Sequence, residues 1–397
     1  MKILYIDCNV KHLNPTANLI SLLFTHIADE IDHFGPGYVS DDEIKGGILK
    51  YANNNEYDFV VVGPNTNIIN DSSKENIDSI KYISSYTSKN FDTNILYDFY
   101  KDIKNNINNL ECKLKLLTLL NFDYYAATID QVEKLVKSKL YILAPGIEFI
   151  TDINHLDSFV IKEKHYKAKK NRISNNWRDF IKSNPDKIIS TTHFVSDDEF
   201  YFNDIISREY DINIPGIKYY LRDKAVKQLI PNKYKINRDF HLKFYSFLNK
   251  LKLPVYSNNF SLKTYRQIFQ KKLSNSKIVF TAKGGFGMTI RKFFEIPAAG
   301  ALMVCNPPFN FDNLGYKDKI HYIKFSENDN INEFIDYYLN DSSSSIIAKS
   351  GQRLTLKNHS IAARVIQIKN ALAQILKNNY LRSEWCRGEF NIHKITD

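Results

Sequence analysis

The chain of 397 residues is poor in cysteine, and its four, Cys8, Cys112, Cys305 and Cys386, lie far apart. No C-x-x-C spacing offers a zinc or redox site, and no dense set of half-cystines frames a disulfide scaffold. Long apolar runs are missing too, since none approaches the roughly 18 residues that a membrane-crossing helix needs. The opening segment, MKILYID, passes straight into a strand-like run with one lysine and no A-x-A-type cleavage site, unlike a secretory signal. Together these absences predict a cytoplasmic protein without a transmembrane segment. No repeat recurs at a fixed period, which removes solenoids. No Asp-x-Asp pair stands at a strand end to hold a metal ion, and the cluster Asp197-Asp198-Glu199 reads as a helix start instead.

What is present suffices for two or three domains, with 43% hydrophobic and 25% charged residues, near the globular norm. Basic residues number 54 against 44 acidic ones, and the surplus of +10 is unevenly spread. Residues 162–178 hold Lys162, Lys164, Lys167, Lys169, Lys170, Arg172 and Arg178 against one acid, Glu163. Such a tract attracts phosphates, an anionic membrane surface or nucleic acid; the plain alternative is a solvated face. Tyr166 and Trp177 within it offer rings for stacking on bases.

Residues 2–7, 57–63, 113–122, 140–143 and 187–192 read as strands, with helices over 18–31, 96–108 and 128–137. Apolar runs without clean alternation, separated by helices, mark a parallel sheet covered on both faces. A second α/β rhythm follows residue 210: helices over 223–229, 240–252, 262–273 and 291–299, and strands over 254–256, 277–281, 301–306 and 321–325. The stretch 331–376 reads as largely helical, broken by a loop at the serine run 342–345. The fold class predicted is α/β with two tandem Rossmann-like, doubly wound domains, at 1–205 and 206–376, and a tail over 377–397. Open α/β sheets bind ligands outside the carboxyl ends of their strands, so the residues that matter are those just past strands in an interdomain cleft.

The most informative segment is KGGFGMTIRKFFEIPAAGALMVCN, residues 283–306. A strand runs into Gly284-Gly285-Phe286-Gly287, which opens a helix carrying Arg291, Lys292 and Glu295. Glycines there, Gly285 and Gly287 above all, let the backbone approach a phosphate, and the first helical turn attracts its charge. Either Arg291 or Lys292 supplies a cation for a diphosphate, and Glu295 can accept two hydrogen bonds from a ribose diol. Gly300 suits a left-handed helix cap, whereas Pro297 conflicts with a helix interior.

The segment R-K-F-F-E-I-P-A-A-G-A-L-M-V at 291–304, Asn306-Pro307 behind it, S-G-Q-R and H-S-I-A-A-R within 350–364, and Ile214-Pro215-Gly216 with Tyr219 and Arg222 resemble the CgeB-like (spore maturation protein B-like) glycosyltransferases of GT-B architecture. The resemblance spans about 210–370 and is only topological over 1–150. It implies a nucleotide-diphosphate sugar donor such as a UDP-sugar, Glu295 on the ribose, Arg291 or Lys292 near the diphosphate, and a supporting role for His359 and Arg364 near the nucleotide. Many retaining relatives carry a second glutamate eight positions before the first, where this chain has Gly287. The arginine usual three places before it is here Lys292.

An inverting reaction needs a general base on the first domain's side of the cleft. Asp123, after the most apolar strand, is the first choice and His193, after the strand at 187–192, the second. Both residue types also serve as turn or structural residues in such places. No cofactor or metal is called for, because cationic side chains can neutralise the leaving diphosphate. The acceptor is expected to be anionic (polysaccharide, protein or DNA), with an inner membrane face as a docking place. The competing expectations are a nucleic-acid-binding protein using residues 162–178, and a nucleotide-sugar epimerase of the same fold.

Overall fold

The computed structural model describes residues 1–12, 16, 18–53, 55–66, 91–119, 139–146, 175–216, 220–251, 253–284 and 287–395. Six strands, β1 (Lys2–Ile6), β2 (Glu30–Phe34), β3 (Phe59–Val62), β4 (Leu114–Thr118), β5 (Leu140–Pro145) and β6 (Ile188–Thr191), form one sheet in the order 2-1-3-4-5-6. Every neighbouring pair is parallel. The unbroken apolar text of β3, and the burial of every residue of β4 including Lys115 and Thr118, follow from cover on both faces. Leu4, Ile6, Val60 and Val62 meet Leu96, Phe99 and Ile103 of the helix Thr93–Asn106, while Ile3, Tyr5, Val61 and Leu116 share a core with Leu23, Phe24 and Ile27 of the helix α1 (Leu19–Ile27). The helix expected to reach residue 31 stops at Ile27, because Glu30 opens β2, a weakly apolar strand that pairing with β1 supports.

A second sheet, β7 (Tyr210–Asn213), β8 (Ser276–Ala282), β9 (Leu302–Asn306) and β10 (Ile323–Lys324), is also parallel, in the order 10-9-8-7. The expectation of two Rossmann-like layers therefore holds. Three local readings do not. Residues 254–256 form a turn rather than a strand, and Val255 and Tyr256 are apolar because they fill the gap between two helices, against Leu242, Tyr245 and Tyr265. The serine run opens the helix Ser343–His359, with Ser343 N–H donating to Asp341 Oδ1 at 2.9 Å. Trp177, expected to stack on bases, is 1% exposed in the first sheet's core, edge-on to Phe180 at 5.8 Å. Residues 162–174 and Tyr166 of the same tract lie outside the described residues.

The C-terminal segment crosses back to the first sheet. Ile368, Leu372 and Ile375 of the helix Ile361–Leu376 pack with Leu23 and Ile27 of α1. Residues expected to be a tail form the antiparallel hairpin β11 (Tyr380–Cys386) and β12 (Glu389–Lys394). Ser190 N–H of β6 donates to Ser383 Oγ at 2.9 Å, so the hairpin covers that sheet edge. Trp385 enters the second domain's core with Phe293 and Phe311. One short segment thereby ties both layers together.

Candidate functional site

Parallel strands deliver their carboxyl ends to one edge of a sheet, and here the two edges face each other. Pro145-Gly146 at the end of β5 and Thr192-His193 after β6 line a cleft opposite Gly287-Met288-Thr289 after β8 and Phe309-Asn310 after β9. The glycine loop folds tightly: Gly287 N–H donates to Gly284 O at 3.1 Å, Gly284 N–H to Met288 O at 3.1 Å, and Phe309 N–H to Gly287 O at 3.0 Å. Gly287 has φ +77°, a backbone that side chains disfavour. Gly285 lies outside the described residues. Met288 is 7% exposed and joins the first sheet's core cluster, so the loop belongs to both halves.

The helix after this loop is shorter than expected. It runs over Lys292–Ala298, with Arg291 at its cap and Pro297 in its last turn. Two turns carry little dipole, so charge neutralisation here falls to side chains. Gly300 has φ +66° and caps the end, as the sequence indicates, with its N–H on Pro297 O at 2.8 Å.

Arg291 is clamped between two carboxylates, Glu295 one turn on and Glu199 from the connection between β6 and β7. Burial works against its charge, but both acids together raise its pKa. Glu199 is itself held by Gln270 Nε2 at 2.9 Å and by Ser196 N–H at 2.7 Å. The two residues expected on diphosphate and ribose are thus bound to one another. Lys292 points elsewhere. A Cβ built on Gly216 would stand 2.7 Å from Lys292 Cε and 3.3 Å from Arg222 Nη1, so both cations meet at that glycine. Arg222 Nη1 donates to Pro215 O at 3.3 Å, and Asp239 Oδ2 accepts from Gly216 N–H at 3.1 Å. The Lys292 ammonium is pushed down by burial and by Arg222 and Arg291, against Glu295 and Asp239. Lys292 and Arg222 thus crowd one glycine, and the Asp239 carboxylate is the anion beside them. Tyr219, next to them in sequence, lies outside the described residues.

His193 sits half-buried at the cleft, its ring hydrogen-bonded to the backbone of Thr289 across the domain boundary. Burial and the Arg291 charge bring its pKa down to about 4, so the ring is neutral near pH 7 and keeps a lone pair. Its carbonyl accepts from Arg364 Nη2 at 3.1 Å. Asp123 lies outside the described residues. His359 is fully buried, its Nε2 on Leu314 O at 2.8 Å and its ring stacked on Tyr316 at 5.6 Å. It sits behind the wall to which Leu314 contributes.

Sequence reading passed over Asp7. Burial raises this carboxyl to about 7, although Cys8 N–H, Asn65 N–H and Asn65 Nδ2 all donate to it. It ends β1, where the strand order reverses between β1 and β3, and Gly63 leaves it room: a Cβ there would be 2.3 Å from its carboxylate. Four strand spacings, about 19 Å, separate it from His193. The rule that selected Asp123 and His193, a polar residue just past a strand, applies to Asp7 equally.

Residues 247–370 match the glycosyl transferase-like family. The matched span contains β8, the glycine loop, Lys292, Glu295 and β9, and so the second domain's side of the cleft is glycosyltransferase-like in sequence. No curated protein matches the chain by sequence. Among solved structures, Anabaena Alr3699/HepE in complex with UDP and glucose shares 9% identity over 94% of this chain and 100% of its own, with a TM-score of 0.45. A glycosyltransferase from Rickettsia africae ESF-5 shares 14% identity over 95% and 99%, with a TM-score of 0.45. Sucrose-phosphate synthase from Thermosynechococcus elongatus shares 9% over 95% and 100%, with a TM-score of 0.47.

Proposed function

We propose that the protein is a glycosyltransferase, of the CgeB-like kind its motifs resemble, that moves a sugar from a nucleotide-diphosphate sugar to an acceptor hydroxyl in the cleft. The observation that carries this reading is that Lys292, inside the glycosyl transferase-like segment 247–370, meets Arg222 beside Gly216 of the preceding loop, while His193 lines the cleft against the glycine loop. The diphosphate lies against Lys292 and Arg222, whose charges offset the negative charge that grows as the bond to the anomeric carbon breaks. Glu295 takes the ribose diol, and Arg291 holds that carboxylate in place. The acceptor oxygen attacks the anomeric carbon, and its proton passes to the free nitrogen of His193, giving inversion. With these cations in place the reaction is metal-independent, and an anionic acceptor suits the net charge of +10.

Calorimetry with UDP and UDP-sugars, followed by single-turnover transfer with and without EDTA, tests the reading. His193→Ala should lose about 10²–10⁴-fold in transfer rate with nucleotide affinity unchanged. A normal rate for His193→Ala beside a collapse for Asp123→Asn would move the base to Asp123. Donor turnover without an acceptor would make the protein an epimerase.

A further inference from the structure

The helix α2 (Phe240–Lys250) turns an apolar stripe away from the protein. Phe240, Phe244, Phe247 and Leu251 follow each other at steps of four, three and four, the spacing of one helix face. They are 67%, 57%, 56% and 56% exposed. Leu253 and Phe260, just beyond, are 47% and 80% exposed. The opposite face of α2 is already used, since Leu242, Tyr245 and Leu248 pack on Tyr256 and Tyr265. Six large apolar side chains open to water within about 21 residues exceed scattered surface apolarity and mark a contact surface.

We propose that this face seats the protein on an anionic lipid bilayer, the helix lying in the plane of the headgroups. Charge selects this occupant. Between Asp239 and Glu295 the sequence has no acidic residue, whereas Lys243, Lys250 and Lys263 border the apolar stripe. Among the described residues Lys243, Lys250 and Lys263 form no ion pair. An aromatic face flanked by lysines is the composition of interfacial helices, with rings among the upper acyl chains and ammonium groups at lipid phosphates. A symmetric dimer through the same face would set lysines against lysines with no acid to receive them. The surface belongs to a different part of the chain from the basic tract at 162–178, and it stands independently of the glycosyl-transfer reading.

Co-sedimentation of the full chain with phosphatidylcholine vesicles, with and without phosphatidylglycerol, tests the proposal. The parent should bind the anionic vesicles and bind the neutral ones at least about tenfold more weakly. Phe244→Ser with Phe247→Ser should lose about tenfold or more in binding to anionic vesicles. Lys243→Glu with Lys250→Glu should lose as much. All four side chains are exposed, so both variants should melt like the parent. Absence of vesicle binding by the parent, or equal binding by the Phe244→Ser/Phe247→Ser variant, would overturn the proposal. A concentration-dependent dimer that dissolves in the phenylalanine variant, without vesicle binding, would assign the face to a second copy and overturn it as well.

Discussion

Neighbouring cations on one short helix serve opposite ends here. Arg291 is consumed by Glu199 and Glu295, and Lys292 by the space beside Gly216 and Arg222. Arg291→Ala would leave two buried carboxylates facing each other without their shared cation. Loss of one partner of a buried ion pair costs about 3–5 kcal/mol, so that variant should melt well below the parent. Lys292→Ala removes a crowded ammonium, and should leave the melting temperature nearly unchanged while weakening UDP binding by about tenfold or more, as expected for a charged hydrogen bond. Thermal melting and calorimetry on the same two proteins separate the roles. Equal loss of affinity in both would mean that Arg291 leaves its carboxylates to meet the diphosphate. From the sequence these two residues were interchangeable, because adjacent positions on a helix point about 100° apart and only the surroundings say which direction holds the acids.

At the scale of elements, the loop after β7 carries the glycine against which Lys292 is packed. Gly216 has φ +89°, and any side chain there would occupy the space of Lys292 Cε. Gly216→Ala should therefore push Lys292 aside, reducing nucleotide affinity beyond what the cost of a left-handed alanine, about 1–2 kcal/mol of stability, implies for the fold. Nucleotide affinity equal to the parent's would show that Lys292 has no part in binding. The helix carrying Lys292 and Glu295 was legible from its glycines and its Gly300 cap. Its start, expected at Arg291, falls one residue later at Lys292 with Arg291 as the cap, the ordinary uncertainty of a helix boundary. Strand β2 and the hairpin β11–β12 were missed because their alternation is weak, and they persist by pairing with neighbours that a local pattern does not reveal.

For the whole molecule, buried titrating groups set the response to acid. Burial depresses His359 to about 3, and His193 and His241 to about 4. A folded-state pKa below the unfolded value of about 6.5 means that the unfolded chain binds more protons in this window. The stability these rings contribute is complete above about pH 6.5 and is lost as the pH falls toward 4. His359, fully buried, contributes a slope on the order of 1.4 kcal/mol per pH unit. Asp7 works in the opposite sense: raised to about 7, it stays protonated in the fold where the unfolded carboxyl ionises, and it costs stability as the pH rises from about 4 to 7. Burial also lowers His12, His33 and His321 and raises Asp239, so lowered rings outnumber raised carboxyls six to two, and the melting temperature should fall on acidification from about pH 7 to about pH 5. The fall should be flatter in His359→Gln and steeper in Asp7→Asn. A melting temperature that rises on acidification would contradict the burial of these histidines.

The layers were legible in the amino-acid sequence: mostly apolar strands separated by amphipathic helices bury both faces of a sheet, and that is the pattern of parallel α/β layers. The sequence also determined that polar residues just past strands would gather at one edge, and His193 is there. Tertiary structure decided which groups meet across that edge. That His193 finds the backbone of Thr289, that Arg291 finds Glu199, and that the C-terminal helix returns to pack on α1 all depend on how two sheets sit against each other. Such contacts join residues far apart in the chain, and their energy comes from burial and charge at a surface that exists only once both domains have folded.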